Sequence, residues 1–284
     1  MGNIMDLFSP AEVVETKFDI EGIKEACKRV IKIQNIVGGK PKFKIKIGSG
    51  VFNFTTGNRK MTTEKFQGII VMHHRSNALF DISGTGQKDK NTPPVCSSTD
   101  GIKGFNHETG EYAYCEECPY NQFGTSENGK GKGKACKNMH RLYILIEGCP
   151  MPAMLSLPPT SLEFWRNYSI MDVAALGLDL SEVVTEFSLI GGVSSRKDEY
   201  SIVNFKLIGK VNQEIKEYCT EAGTTIEQSP RPEIEADEYN REPTEIIQQD
   251  DEDIPEEAVS DLGSGLDEII ENEDEPEEID FDNL

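Results

Sequence analysis

The sequence predicts a mainly β fold with a few helices, a small barrel or sandwich interrupted by a cysteine-rich segment and followed by a disordered acidic tail. Three observations carry this. Several short apolar or alternating runs have strand periodicity. Residues 84–137 are rich in Gly, Lys, Asn, Ser and Cys but poor in aliphatic side chains. Finally, residues 221–284 hold 25 Asp and Glu against two basic residues, Arg231 and Arg241, so they carry −23 of a whole-chain net charge of −21. The preceding 220 residues therefore stand at +2, and the low overall pI describes the tail alone. A segment this acidic and aromatic-poor buries too little apolar surface to offset the entropy of ordering it.

Element by element, a helix is expected around Ile20–Ile33, closed off by Gly38-Gly39. Lys42-Phe43-Lys44-Ile45-Lys46-Ile47 alternates strictly, as a half-buried strand with an outer lysine row does. Gly48-Ser49-Gly50 turns into a second strand, Val51–Phe54, and Gly68–His73 and Ala78–Ile82 are further apolar runs. After the cysteine segment, strands are expected at Arg141–Glu147 and Ala153–Leu157. Thr160-Ser161-Leu162-Glu163 reads as a capping box opening a helix to about Leu176. Val183–Ile190 and Tyr200–Ile208 form a hairpin with a basic tip, and a last helix, Val211–Cys219, leads into the tail. The domain division is 1–220 for the body, with 84–137 inserted, and 221–284 for the tail. No run approaches the roughly 20 apolar residues of a membrane span. The N-terminus has no signal-peptide pattern, so a cytoplasmic protein without a membrane partner is expected.

Cys96, Cys115, Cys118 and Cys136 are spaced C-x18-C-x2-C-x17-C. A Cys-x2-Cys pair sets two thiolates on one metal through a single turn, and two flanking cysteines complete a tetrahedral set. A polar segment without an oily core needs another source of folding free energy, which metal binding supplies. Zinc is the expected metal, with an iron–sulfur cluster on the same four residues as the alternative. Cys27, Cys149 and Cys219 are scattered and read as small core residues. Gly124–Gly131 nearly matches a phosphate-binding loop, but Gly131 stands where the magnesium-binding hydroxyl belongs, which excludes nucleotide hydrolysis there.

Single-stranded nucleic acid is gripped by cations along its phosphates and by aromatic faces under its bases. The candidate cations are Lys42, Lys44, Lys46, Lys130, Lys132, Lys134, Lys137 and Arg141, and the candidate stacking rings are Tyr120, Phe123 and Tyr143. Phe43, Phe52, Phe54 and Trp165 read as core. No catalytic constellation stands out. His73-His74 has no evident nucleophile or carboxylate partner, and Glu116 and Glu117 are the one acidic pair beside the cysteines.

In the tail, Leu262, Leu266, Ile269 and Ile270 share a helical face, and Phe281 and Leu284 punctuate an acidic end. Both sets are candidates for contacting partner proteins. Together with Cys-x2-Cys-Pro-Tyr-Asn-Gln-Phe-Gly at 115–124, Gly-Lys-Gly-Lys and the Arg141-Leu142-Tyr143 strand, this organisation resembles bacteriophage single-stranded DNA-binding proteins. The resemblance implies an OB-like barrel, a zinc site within the DNA-binding body, and an acidic tail that competes for the DNA groove. That tail would also recruit a replication polymerase, helicase or nuclease. A metal-containing DNA-processing enzyme such as a nuclease, and a zinc-ribbon transcription regulator, are the alternative readings.

Overall fold

The computed structural model describes residues 13–37, 43–56, 59–80, 93–126, 133–193 and 199–238. Lys42, Lys130, Lys132, the basic hairpin tip and all the tail residues proposed for partner contact lie outside them. The architecture is mainly β with a few helices, built on one mixed, unclosed sheet.

Its strands are β1 (Phe43–Ile47), β2 (Phe52–Thr56), β3 (Arg59–Thr63), β4 (Lys65–Leu79), β5 (Cys96–Ser98), β6 (Lys103–Asn106), β7 (Tyr112–Tyr114), β8 (Lys137–Leu145), β9 (Ala153–Leu157), β10 (Val183–Val193) and β11 (Glu199–Lys210). The main path runs β3-β2-β1-β9-β8-β4-β5-β6-β7, and β10 pairs with both β4 and β11. The helices are α1 (Ile20–Val37), α2 (Leu162–Asn167) and α3 (Gln213–Gln228). Among the described residues, no helix is long and apolar enough to cross a membrane.

β4 organises the fold. The expected run Gly68–His73 and the start of the next, Ala78-Leu79, belong to this one 15-residue strand; Ile82 lies outside the described residues. Its first residues, Lys65–Gly68, pair with β10, and Ile69–Ala78 pair with β8, with a register shift between Ile70 and Met72. Such irregularities bend a strand and let it pass from one layer to the next. At the opposite corner Ser201 of β11 spans the gap to the β1–β2 turn. Gly50 N–H donates to Ser201 Oγ (3.0 Å), and that hydroxyl donates to Gly48 O (2.9 Å).

One sheet face buries the main core: Ile45, Phe52, Leu142, Ile144, Leu155, Leu157, Trp165, Tyr168, Phe187 and Phe205. Phe52 and Trp165 are buried as expected, and Phe43 and Phe54 pack against the same cluster. α1 and α3 bring Ile20, Ile23, Ile215 and Cys219 against Ile69, Val71 and Leu145. α3 crosses β4 so closely that a Cβ on Gly223 would lie 2.1 Å from Val71 O, so only glycine fits there.

Two local expectations change. Ser161, not Thr160, is the N-cap of α2, and no side-chain cap bond forms. Ser161 Oγ instead accepts from the buried Val203 N–H (3.0 Å), tying α2 to β11. The capping box lies at Asp179–Glu182, where both reciprocal bonds are present. The last helix begins with Asn212 as its N-cap and runs on to Gln228, so the 220/221 boundary falls inside α3.

Candidate nucleic-acid interface and cysteine site

Residues directly opposite in neighbouring strands share a sheet face, and alternate residues along a strand share it too. Tracing register from Lys44 therefore shows what lies on the face opposite the main core. Lys44 and Lys46 stand against Thr55 and Asn53 of β2, which stand against Lys60 and Thr62 of β3. On the other side Lys44 pairs with Met154, Met154 with Tyr143, and Ser156 with Arg141. Lys137, Met139, Arg141 and Tyr143 alternate along β8, so Lys44, Lys46, Lys137, Arg141 and Tyr143 all fall on one face. Lys60, exposed on β3, joins them and was not anticipated from sequence. Only the β2–β3 register reveals it.

The chain after α3 returns across this face. Ile234 is buried with Ala78, Phe80 and Met139, anchoring segment 229–238 as a strap. Arg141, fully buried, gives Glu238 two bonds, from Nε (2.9 Å) and Nη2 (2.7 Å). It also donates to Pro232 O (2.6 Å) and Glu233 O (3.0 Å), while Ser156 Oγ donates to Glu238 (2.8 Å). Nearer the sheet edge, Lys44 Nζ meets Glu235 Oε2 at 2.5 Å. Two carboxylates from the start of the acidic segment thus neutralise two cations expected to meet phosphate.

Two histidine clusters lie on opposite faces of the β4–β8 pair, the first beside the strap. His74 is buried, its Nδ1 donating to Arg75 O (2.8 Å) and its Nε2 3.4 Å from Tyr143 Oη. Burial, then the positive Arg231 and Arg141 nearby, holds its pKa below the usual 6.5. On the other face His73 Nδ1 and His140 Nε2 are 2.9 Å apart, and both rings pack on Trp165. Burial lowers the pKa of both, His140 to about 3, although His73 keeps an exposed edge. Among the described residues, no carboxylate or nucleophile is bonded to either cluster, and burial favours the neutral rings.

The cysteine segment hangs from β4 through the short hairpins β5–β6–β7. Cys96, Cys115, Cys118 and Cys136 line a single cavity with Asn77, Gly104 and Tyr120. A Cβ on Gly104 would lie 3.1 Å from Cys96 Sγ and 3.6 Å from Cys115 Sγ, so both sulfurs lie close to one point, where a side chain would be a tight fit. The Cys115–Cys118 turn is held by Cys115 N–H to Ile102 O (2.8 Å) and Asn121 Nδ2 to Cys115 O (2.7 Å). Cys136 N–H donates to Tyr120 O (2.8 Å), fixing the fourth cysteine to the same loop. Burial, and then the other three thiols, push Cys136 up to about 12, and Cys96 is raised by burial and by Cys118 and Cys115. As they stand, no three or more His, Cys, Asp or Glu among the described residues form a metal-holding group. The four cysteines nonetheless share one cavity, and neutral thiols have nothing to draw them the last distance together. Four soft sulfur donors around one space fit a tetrahedral thiophilic ion. Glu116 and Glu117 are exposed and line none of this cavity.

The expected stacking rings divide. Phe123 is 81% exposed with Lys134 Nζ 4.8 Å from its centroid. Tyr120 lines the cysteine cavity, and Tyr143 lies half-buried beside His74, packed against the cluster that α1 and α3 form. Comparison with protein-family models, curated proteins and solved structures finds no match.

Proposed function

We propose that the body binds single-stranded DNA along the lysine face of β1, β2 and β3, and that the acidic C-terminal segment competes for that face. The observation carrying this is the Lys44–Glu235 pair: a cation on a basic sheet face that already holds a carboxylate from the acidic segment. Lys44, Lys46 and Lys60 would neutralise successive phosphates, with Lys134 and Phe123 contributing from the cysteine segment. Arg141, sealed at 0% exposure, holds the strap and meets phosphate only if the strap lifts. Residues beyond Glu238 carry 19 acidic side chains against Arg241 alone, and Glu238 itself is bound on this face, so the tether would give a high local concentration of competing anion. Leu262, Leu266, Ile269, Ile270, Phe281 and Leu284 would recruit replication proteins once DNA displaces the tail. The role is binding without catalysis, in replication or recombination.

The same reading includes an OB-like barrel, supported by the long bent β4 and by the Ser201 bridge across the open corner. It also includes zinc on Cys96, Cys115, Cys118 and Cys136, where the ion would cross-link β5, the Cys115–Cys118 turn and the entry to β8. Metal analysis of purified protein separates zinc from an iron–sulfur cluster, which would colour the protein and add iron and sulfide. Binding is tested by titrating salt: displacing counterions from each neutralised phosphate steepens the loss of affinity. Lys60→Gln should reduce that slope. Salt-independent binding would overturn the proposal.

A further inference from the structure

We infer that the β6–β7 hairpin is a base-stacking platform for the same strand of DNA, with Tyr112 and Tyr114 as its rings and Lys103 as its cation; this rests on the reading that the body binds single-stranded DNA. Tyr112 and Tyr114 are 66% and 58% exposed on one short strand, two residues apart and therefore side by side. Lys103 stands opposite Tyr114, and its Nζ lies 5.0 Å from the Tyr112 centroid. Phe105, opposite Tyr112, braces that ring from beneath at 4.8 Å between centroids.

Register decides what such a surface meets. Lys137 and Ser97 both stand against Ala78, Ser97 against Phe105, and Phe105 against Tyr112. The tyrosines therefore occupy the same face of the continuous sheet as Lys44, Lys46 and Lys60. The other side of the hairpin, with Gly104, Glu111, Ala113 and Cys115, lines the cysteine cavity. That keeps the Glu111 carboxylate away from the tyrosine face. Flat rings, a lysine and no strand carboxylate suit bases with phosphates between them, since every base offers a face to stack.

The two surfaces are the ends of one track. Nine strands at about 4.8 Å spacing separate β3 from β7 by roughly 38 Å before twist shortens the path. The strap lies between them, with Arg231 Nη1 donating to Thr99 O (3.3 Å) beside β5. A strand of DNA running from the lysines to the tyrosines must cross the strap, which is where competition is built in.

The test uses the full chain and two labelled strands of about 16 nucleotides, the upper end of what one such fold covers. One is oligo-dT and the other is a base-free strand of the same length. Tyr112→Ala with Tyr114→Ala should weaken oligo-dT binding by about tenfold or more, leave the base-free strand unchanged, and be rescued by Tyr112→Phe with Tyr114→Phe. An equal loss on both strands, or no loss on oligo-dT, overturns the platform alone. Failure of the unaltered protein to bind either strand overturns the platform and the proposed function together.

Discussion

Glu235 and Glu238 sit three residues apart in one strap and each meets a cation on the same sheet face, yet the two pairs differ in kind. Arg141 and the Glu238 side chain are 0% and 4% exposed, whereas Lys44 and the Glu235 side chain are 14% and 40% exposed. Burial converts the first into a lock. Its charges have no water to return to, and the guanidinium also carries two backbone carbonyls. The second stays near solvent, where an ion pair contributes little net stability and exchanges readily for another anion. The difference separates a contact that belongs to the fold, at Arg141, from the one that the proposed competition would exchange, at Lys44.

The sharpest way to break this contrast is Arg141→Ala. It strands Glu238 in a dry site and frees the strap, and should cost about 3–5 kcal/mol in thermal or denaturant unfolding. A change below about 1 kcal/mol would put Arg141 in the same class as Lys44. If the proposed metal cross-links the cysteine segment, chelation or Cys115→Ser should next open its short strands. Amide exchange should rise in β5, β6 and β7 while β8, β9 and β10 stay protected; uniform protection would remove the metal from the account.

Acid provides a third probe, at the two histidine clusters on either face of the β4–β8 pair. The folded pKa values of His74 and His140 lie below the usual 6.5, so below that pH the unfolded chain binds protons that the fold refuses. Stability is full above about pH 6.5 and should fall as pH drops through that value, by up to about 1.4 kcal/mol per pH unit for each histidine. Replacing His74 by Gln should flatten the curve, and an unchanged curve would contradict the burial argument. The smallest effect is expected of Glu235→Gln: under about 1 kcal/mol in stability, but a several-fold gain in oligo-dT affinity at low salt. Equal affinity would mean that the Lys44 pair does not gate the face.

Much of this organisation is legible in the chain itself. The alternation of residues 42–47 shows the lysine row, and Cys-x2-Cys with flanking cysteines marks what becomes one cavity. Strand ends were less visible: β3 is a polar Arg-Lys-Met-Thr-Thr run whose pairing with β2 is long-range information, so Lys60 stayed hidden. Tyr112-Ala113-Tyr114 does show a period of two, but inside a segment whose composition reads as loop. Arg141 illustrates the deeper limit. A lone arginine beside a tyrosine looks like a phosphate contact, and nothing local announces that a carboxylate 97 residues away will close over it. The strap is illegible for the same reason, since its acidic residues merge into the tail and only Ile234, clustered with Met139, distinguishes it.

The most direct test of the central claim is anisotropy binding of labelled oligo-dT and its matching duplex at low and moderate salt, comparing the full chain with a chain ending at Glu238. Salt-sensitive preference for the single strand, strengthened when residues 239–284 are removed and the strap is kept, is the predicted result. Equal binding of single strand and duplex, or affinity unchanged by the truncation, would contradict it.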